Sequence, residues 1–387
     1  MSPDQPPLPT LLVIPTGVGC TVGGYAGDGL PAARLLAAAS GCLITHPNVM
    51  NGASLYWSDR RIHYVEGWAL DRFAGGELAL APVAGRKVGL LLDAGIEPEL
   101  RQRQLQAAAA CRATLGLAIG PMVTTDVPLG VGLSLGPSGA SWGTLGRPDA
   151  LLRAGEQLVA AGANAIAVVA RFPDDPGSEA LAAYRHGDGV DALAGAEAVI
   201  SHLLVQHLGI PCAHAPALAP LPLDPDLDPR AAAEELGHTF LPCVLVGLSR
   251  APDLVPLAGA PLAGAGWSSA QRFAAATGAR GSGPLLLASD LGAVVAPAAA
   301  LGGEAVLACA ERGVPLIAVQ NSCLLQVSAA ALGLEVLTAA SYAEAAGLVL
   351  ALREGIDPAA LRRPLLPWIE LPSRSATPAG SDASAAK

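Results

Sequence analysis

The sequence predicts an α/β protein of mainly parallel sheets with flanking helices, Rossmann-like units arranged in two domains. Two observations predict it. Short apolar runs that end in polar or glycine-rich loops recur along all 387 residues, and alanine-rich helical patterns lie between them. Strand alternating with helix implies βαβ units. At roughly 150 residues per domain the length suggests two.

The strands are expected at 11–14 (LLVI), 88–92 (VGLLL), 165–170 (AIAVVA), 244–246 (VLV), 285–287 (LLL), 293–296 (AVVA) and 316–319 (LIAV). Each is short, apolar and followed by polar or glycine-rich chain. The helix at 31–40 opens on Pro31 and stops at Gly41; that at 99–115 follows Pro98 and stops at Gly116. The helix at 148–161 opens on Pro148, and the one at 192–208 stops at Gly209. The helix at 304–312 lies between Gly303 and Gly313, and that at 341–354 has Ser341 as its cap and Gly355 beyond its end. Residues 211–229 have an apolar-Pro rhythm that suits an ordered, extended surface segment rather than a helix or central strand.

The expected organisation is a disordered N-terminus (1–10), a larger α/β domain (11–250), a Gly/Ala/Pro-rich linker (251–283), a smaller α/β domain (284–372) and a Ser/Ala/Pro-rich disordered tail (373–387). Residues 313–334 form an uncharged stretch long enough to span a bilayer. They contain Pro315, Gln320, Asn321 and Gln326, so they read as strand, polar loop and helix start rather than a membrane span. No membrane insertion is expected.

The formal charge is −10, and no basic run exceeds two residues, so nucleic acid is not an expected partner. Seven cysteines without a C-x-x-C pair fit a reducing, cytoplasmic setting and speak against a zinc ribbon or redox dithiol. Charged residues make up only 14%. Surface covered by a partner subunit, as in a homo-oligomer, or buried between domains explains that shortage as well as a GC-rich coding sequence does.

Ligands of open parallel sheets bind beyond the carboxyl ends of strands. The chain after the first strand carries Thr16, Gly17, Gly19, Gly23 and Gly24, whose backbone amides suit a phosphate or carboxylate; a tight turn needed only for packing is the alternative. The spacing misses the dinucleotide fingerprint by one position, there is no Walker loop, and no cofactor is named. Next come His46, Asn48 and Asn51, an imidazole and two amides in one short loop. Asp93 follows the second strand. Arg171 ends the third, placed to grip a carboxylate or phosphate, with Arg185 and His186 further on. Arg250 and Asn321 occupy later loops. His202 and His207, about 140° apart on a helix, cannot clamp one metal. Cys212 and His214 would share one face of an extended segment, as a histidine-activated thiolate or as an ordinary buried thiol.

The words IPTGVG (14–19), ITHPNVMNGA (44–53), LDAGIEPE (92–99) and ARFPDD (170–175) resemble an uncharacterised domain family of cyanobacteria and of plastid-bearing algae and plants, over about residues 11–372. The resemblance implies a photosynthetic cell but no activity. Relatives often carry an acid near Gln320, which speaks against a catalytic Gln320.

The residues together suggest an enzyme acting on a small anionic metabolite by general acid/base chemistry. His46, His186 or Asp93 would carry the proton, and the glycine loop, Asn48, Asn51, Arg171, Arg185, Arg250 and Asn321 would bind. The alternatives are a metabolite-binding protein without turnover, or an assembly factor of the photosynthetic apparatus.

Overall fold

The computed structural model describes residues 5–51, 59–174, 177–235, 240–257, 284–365 and 367. Most of the expected linker at 251–283 and all of the tail at 373–387 lie outside the described residues.

The fold is mixed α/β, built on two parallel sheets. Six strands, β1 (Thr10–Leu12), β2 (Leu43–Thr45), β3 (Ile62–Tyr64), β12 (Ala293–Pro297), β13 (Leu316–Val319) and β14 (Leu337–Ala339), pair in the order β14-β13-β12-β1-β2-β3. Strand β1 lies between β2 and β12, with Thr10 opposite both Leu43 and Ala293, so strands from before and after residues 251–283 share one sheet. The second sheet, in the order β10-β9-β5-β6, holds β5 (Val88–Leu92), β6 (Ile119–Thr124), β9 (Ala165–Arg171) and β10 (Cys212–Ala217). Two antiparallel pairs complete the strands: β4 (Leu78–Ala81) with β11 (Asp253–Pro256), and the hairpin of β7 (Val131–Leu135) and β8 (Ser141–Leu145).

The helices up to residue 248 are α1 (Leu30–Ser40), α2 (Pro47–Met50), α3 (Gly67–Ala74), α4 (Pro98–Leu115), α5 (Pro148–Ala160), α6 (Glu179–Arg185), α7 (Ala194–Leu208), α8 (Pro229–Glu235) and α9 (Phe240–Leu248). Toward the C-terminus follow α10 (Glu304–Glu311), α11 (Ala329–Leu332) and α12 (Tyr342–Arg353). Helix α7 bears on α3, α5, β8 and β10 at once. The glycine stops act as expected: Gly41, Gly116 and Gly209 close α1, α4 and α7 in left-handed backbone, and Ser341 caps α12 by accepting from Glu344 N at 3.3 Å. Small aliphatic side chains fill the core, with Phe73, Phe172 and Tyr64 among its few large members.

Three expectations differ from the fold. Residues 244–246 lie inside α9, because the apolar run continues from Phe240 to Leu248 and is long enough for a helix buried on most sides. Residues 285–287 make no strand; Leu286 forms a lone bridge to Leu80. The segment at 211–229 begins as β10, a buried strand. Pro216 is tolerated there because β10 is the edge of its sheet.

Candidate functional site

A cavity of roughly 820 Å³ opens where the carboxyl ends of the two sheets meet. Thr16, His46 and Glu66 reach it just after β1, β2 and β3; Pro173 and Leu218 do so after β9 and β10. The hairpin contributes Leu133 and Leu135, helices α6 and α7 supply one wall, and Glu234 and Phe240 close another. Strand ends of two sheets thus build one chamber.

Helix α7 brings most of the chemistry. Glu197 and Ser201, one turn apart, share a face that meets His214 on β10. Ser201 Oγ forms a short hydrogen bond with His214 Nδ1, and Glu197 Oε2 lies 3.4 Å from His214 Nε2. A hydroxyl, an imidazole and a carboxylate therefore stand in line. Ser201 is only 1% exposed and sits mid-helix, far from the sharp turn that presents a nucleophilic serine, so the line suits proton transfer better than acyl transfer. The next residue, His202, hydrogen-bonds through Nδ1 to Glu66, whose other oxygen caps α3 by accepting from Trp68 N at 2.9 Å. Burial opposes the His202 cation, but the Glu66 carboxylate outweighs it and raises the pKa.

Two further carboxyls lie in the same wall. Asp191, before α7, accepts from Leu193 N at 2.8 Å. Burial and then the neighbouring Glu197 push its pKa up to about 7. Glu234 accepts from Tyr184 Oη at 2.9 Å and from Ala26 N; burial and then Asp191 raise it well above the ordinary carboxyl range. Behind Glu234 stands a stack: the Arg230 guanidinium lies 4.5 Å from the Tyr25 ring centre, and Tyr25 stacks on Tyr184 at 4.3 Å. Three mutually repelling carboxyls therefore share a wall, and one of them, Glu197, faces His214 Nε2 at 3.4 Å.

Several residues singled out in the sequence line this cavity. His46 Nε2 accepts from Ile14 N at 3.1 Å, which leaves Nδ1 as the protonated nitrogen, and burial lowers its pKa to about 4. It is a neutral hydrogen-bond donor at physiological pH. Asn48 donates to Gly23 O at 2.9 Å, and Asn51 accepts from Tyr64 Oη at 3.0 Å. Thr16 and Arg185 complete the set, although Arg185 is already held by Glu235 at 2.9 Å and 3.1 Å.

The remaining candidates lie outside the cavity lining. The glycines face protein: a Cβ at Gly23 would come within 2.4 Å of Ile14 and one at Gly24 within 2.2 Å of Cys20 O, while Gly17 and Gly19 back onto Ser141 and Leu324. Asp93, 1% exposed, accepts from Gly95 N, Leu129 N and Arg171 N at 2.9–3.0 Å and so ties β5 to β9 and to the chain before the α5 helix. The Arg171 guanidinium grips Glu97 at 2.8–3.0 Å and also pairs with Asp174. His186 bonds Asp224 at 3.0 Å, half-exposed. Arg250 is exposed just beyond α9. Asn321 exchanges two hydrogen bonds with the Val22 backbone, at 2.9 and 2.8 Å. Cys212 is fully buried, and burial raises its thiol pKa, so the inert-thiol alternative fits it.

Sequence reasoning did not single out Glu66, Tyr184, Asp191, Glu197, Ser201 and Glu234. The signal for part of the set was present: Glu197 and Ser201 are polar residues one turn apart in a largely apolar helix. Among the described residues, no group of three or more His, Cys, Asp and Glu is arranged to hold a metal ion. No helix of the described residues is long and apolar enough to cross a membrane.

A family model described as "Protein of unknown function (DUF3326)" matches residues 9–362. An uncharacterized lipoprotein of the cyanobacterium Synechococcus sp. is 54% identical over 355 residues, which cover 92% of this chain and 93% of that protein. The cyanobacterial family resemblance read from the sequence is thereby borne out. No solved structure matches the chain.

Proposed function

The chain belongs to the DUF3326 family, and we propose that it is an enzyme that moves protons on a small amine-bearing metabolite held in the cavity between its two sheets. The observation that carries this reading is the wall of Asp191, Glu197 and Glu234 set against His214. A cation placed there would relieve the repulsion among the carboxyls, whereas an anion would add to it. The two arginines that suggested an anion from the sequence are already paired, Arg171 with Glu97 and Asp174, Arg185 with Glu235. Asp191, poised near neutrality, exchanges the proton; His214, backed by Glu197, relays it; neutral His46 donates a hydrogen bond that orients the substrate. We place the protein in the cytoplasm, supported by seven free, buried thiols. Recovery of the protein in the membrane pellet on cell fractionation would overturn that placing.

The charge of the ligand is tested by thermal shift with butylamine, butyrate and inorganic phosphate. Butylamine should raise the melting temperature, more at pH 8 than at pH 6, because Asp191 is ionised only at the higher pH. Stabilisation by the anions alone sinks the reading. For catalysis, the protein is incubated with a metabolite extract in heavy water. A compound should change its structure or retain deuterium at carbon, and His214→Ala should slow that change by roughly 10²–10⁴-fold. Binding without any such change would leave a metabolite-binding protein instead.

A further inference from the structure

We propose that Cys20 and Cys323 form a thiol pair that closes to a reversible disulfide, with a glutathione-type or protein disulfide as the oxidant. The two residues are 303 positions apart, yet their Sγ atoms lie 2.8 Å from each other. Two unbonded sulfurs rarely approach so closely; a disulfide bond of about 2.05 Å needs well under 1 Å of further closure.

The approach is imposed by the backbone on both sides of the sulfurs. Thr21 N donates to Ser322 O at 2.8 Å, and Leu324 N donates to Val18 O at 3.0 Å. The Asn321 amide pairs with both polar groups of the Val22 backbone. The two segments thus run side by side with the thiols between them, 2% and 6% exposed. Only a thin cover lies over the less buried Cys323, because its neighbours Ser322 and Leu324 are exposed, Leu324 by 58%. The hydrogen bond from Cys20 holds the Cys323 thiol below its ordinary pKa, which makes Cys323 the attacking group.

The exchange balances in two steps. Cys323 thiolate attacks one sulfur of the oxidant, releasing one thiolate and leaving a mixed disulfide. Cys20 then loses its proton and attacks the Cys323 sulfur, releasing the second thiolate. Two protein thiols are oxidised and one disulfide is reduced to two thiols; a dithiol reductant reverses both steps. The bond would fasten the loop after β1 to the end of β13. That loop supplies the Ala26 amide that holds Glu234, so closure fixes one wall of the cavity. The inference stands on these contacts alone and does not depend on the proposed activity.

The test incubates the native full chain with oxidised glutathione, denatures it in acid and counts free thiols by alkylation and mass spectrometry. Titratable thiols should fall from the seven of the sequence by two, with an intact-mass loss of about 2 Da and one proteolytic peptide pair joining Cys20 to Cys323. Dithiothreitol should restore all seven, and Cys323→Ser should keep its six thiols unchanged. Retention of seven thiols, a stable glutathione adduct without closure, or a bond between other cysteines each overturns the proposal. Wild-type peptide mapping decides the matter even if the variant fails to fold.

Discussion

Replacing Asp191 with Asn is expected to abolish turnover while making the protein more stable at pH 8. The carboxyl has a pKa of about 7 in the fold, against roughly 3.9 in an unfolded chain. Between those values the folded state holds a proton that the unfolded state has released, so stability falls as pH rises through this window. Above pH 7 both states are ionised, and the folded state bears the full cost of a buried charge facing Glu197. About three pKa units correspond to an upper bound of about 4 kcal/mol. Asn cannot ionise and still offers an oxygen to Leu193 N, so it removes most of that cost. It also removes one source of the repulsion that raises Glu234. Thermal or urea unfolding at pH 4.5 and pH 8 checks this: the wild type should lose several kcal/mol over the interval, and the variant clearly less. Parallel pH curves, or a variant that turns over within a few-fold of wild type, would show that Asp191 is neither the destabilised group nor the proton carrier. A stability gain coupled to lost activity is what a wall kept for chemistry should give. Binding of an amine should have the converse signature. It favours the ionised carboxylate, so a proton should be released near pH 6, measurable as a buffer-dependent heat in calorimetry.

Much of the scaffold was legible in the sequence because it is local. The helices at 31–40, 99–115, 148–161, 192–208, 304–312 and 341–354 are bounded by Pro, Ser or Gly within one residue or two, and the structure places a helix at each. His46, Asn48, Asn51 and Thr16 were also legible, since a parallel strand delivers the residues after it to the binding edge. The carboxylate wall was not. Glu197 stands in the first turn of a helix, where an acid is expected for the helix dipole alone, and its partner His214 arrives from a strand 17 residues later. Glu234 stands on α8 and Asp191 in the chain before α7, and only the tertiary fold brings them together. The partner of Arg171 was hidden for the same reason: its place at a strand end is local, but only the fold brings Glu97, 74 residues earlier, into its grip. The glycine loop looked like an anion cradle, yet Gly23 and Gly24 answer to their own neighbours, Ile14 and Cys20.

Gly143→Ala should cost the fold about 3 kcal/mol or more and remove amine binding with it. A Cβ at Gly143 of β8 would lie 2.0 Å from Ala196 Cα and 2.2 Å from Ala196 N, both backbone atoms at the start of α7. Gly195 faces the other way with equal intimacy, its Cβ position 2.6 Å from Trp142 Cα. No rotamer change relieves contacts between backbones, so the first turn of α7 must move outward by more than an ångström. Two hydrogen bonds of Ser141 resist that movement, one accepted from Gly195 N at 3.0 Å and one donated to Ala192 O at 2.8 Å. Asp191, Glu197, Ser201 and His202 all ride on this stretch, so its displacement breaks the wall as well as the packing. The control lies on the same hairpin. A Cβ at Gly132 would meet Thr144 Oγ1 at 2.6 Å, a side-chain atom that can rotate away, so Gly132→Ala should cost well under half as much and leave the butylamine shift in place. Urea midpoints of the two variants decide between these outcomes. Equal midpoints would mean that α7 yields freely at Gly143, and the cavity wall would then be too soft to hold three carboxyls in fixed opposition.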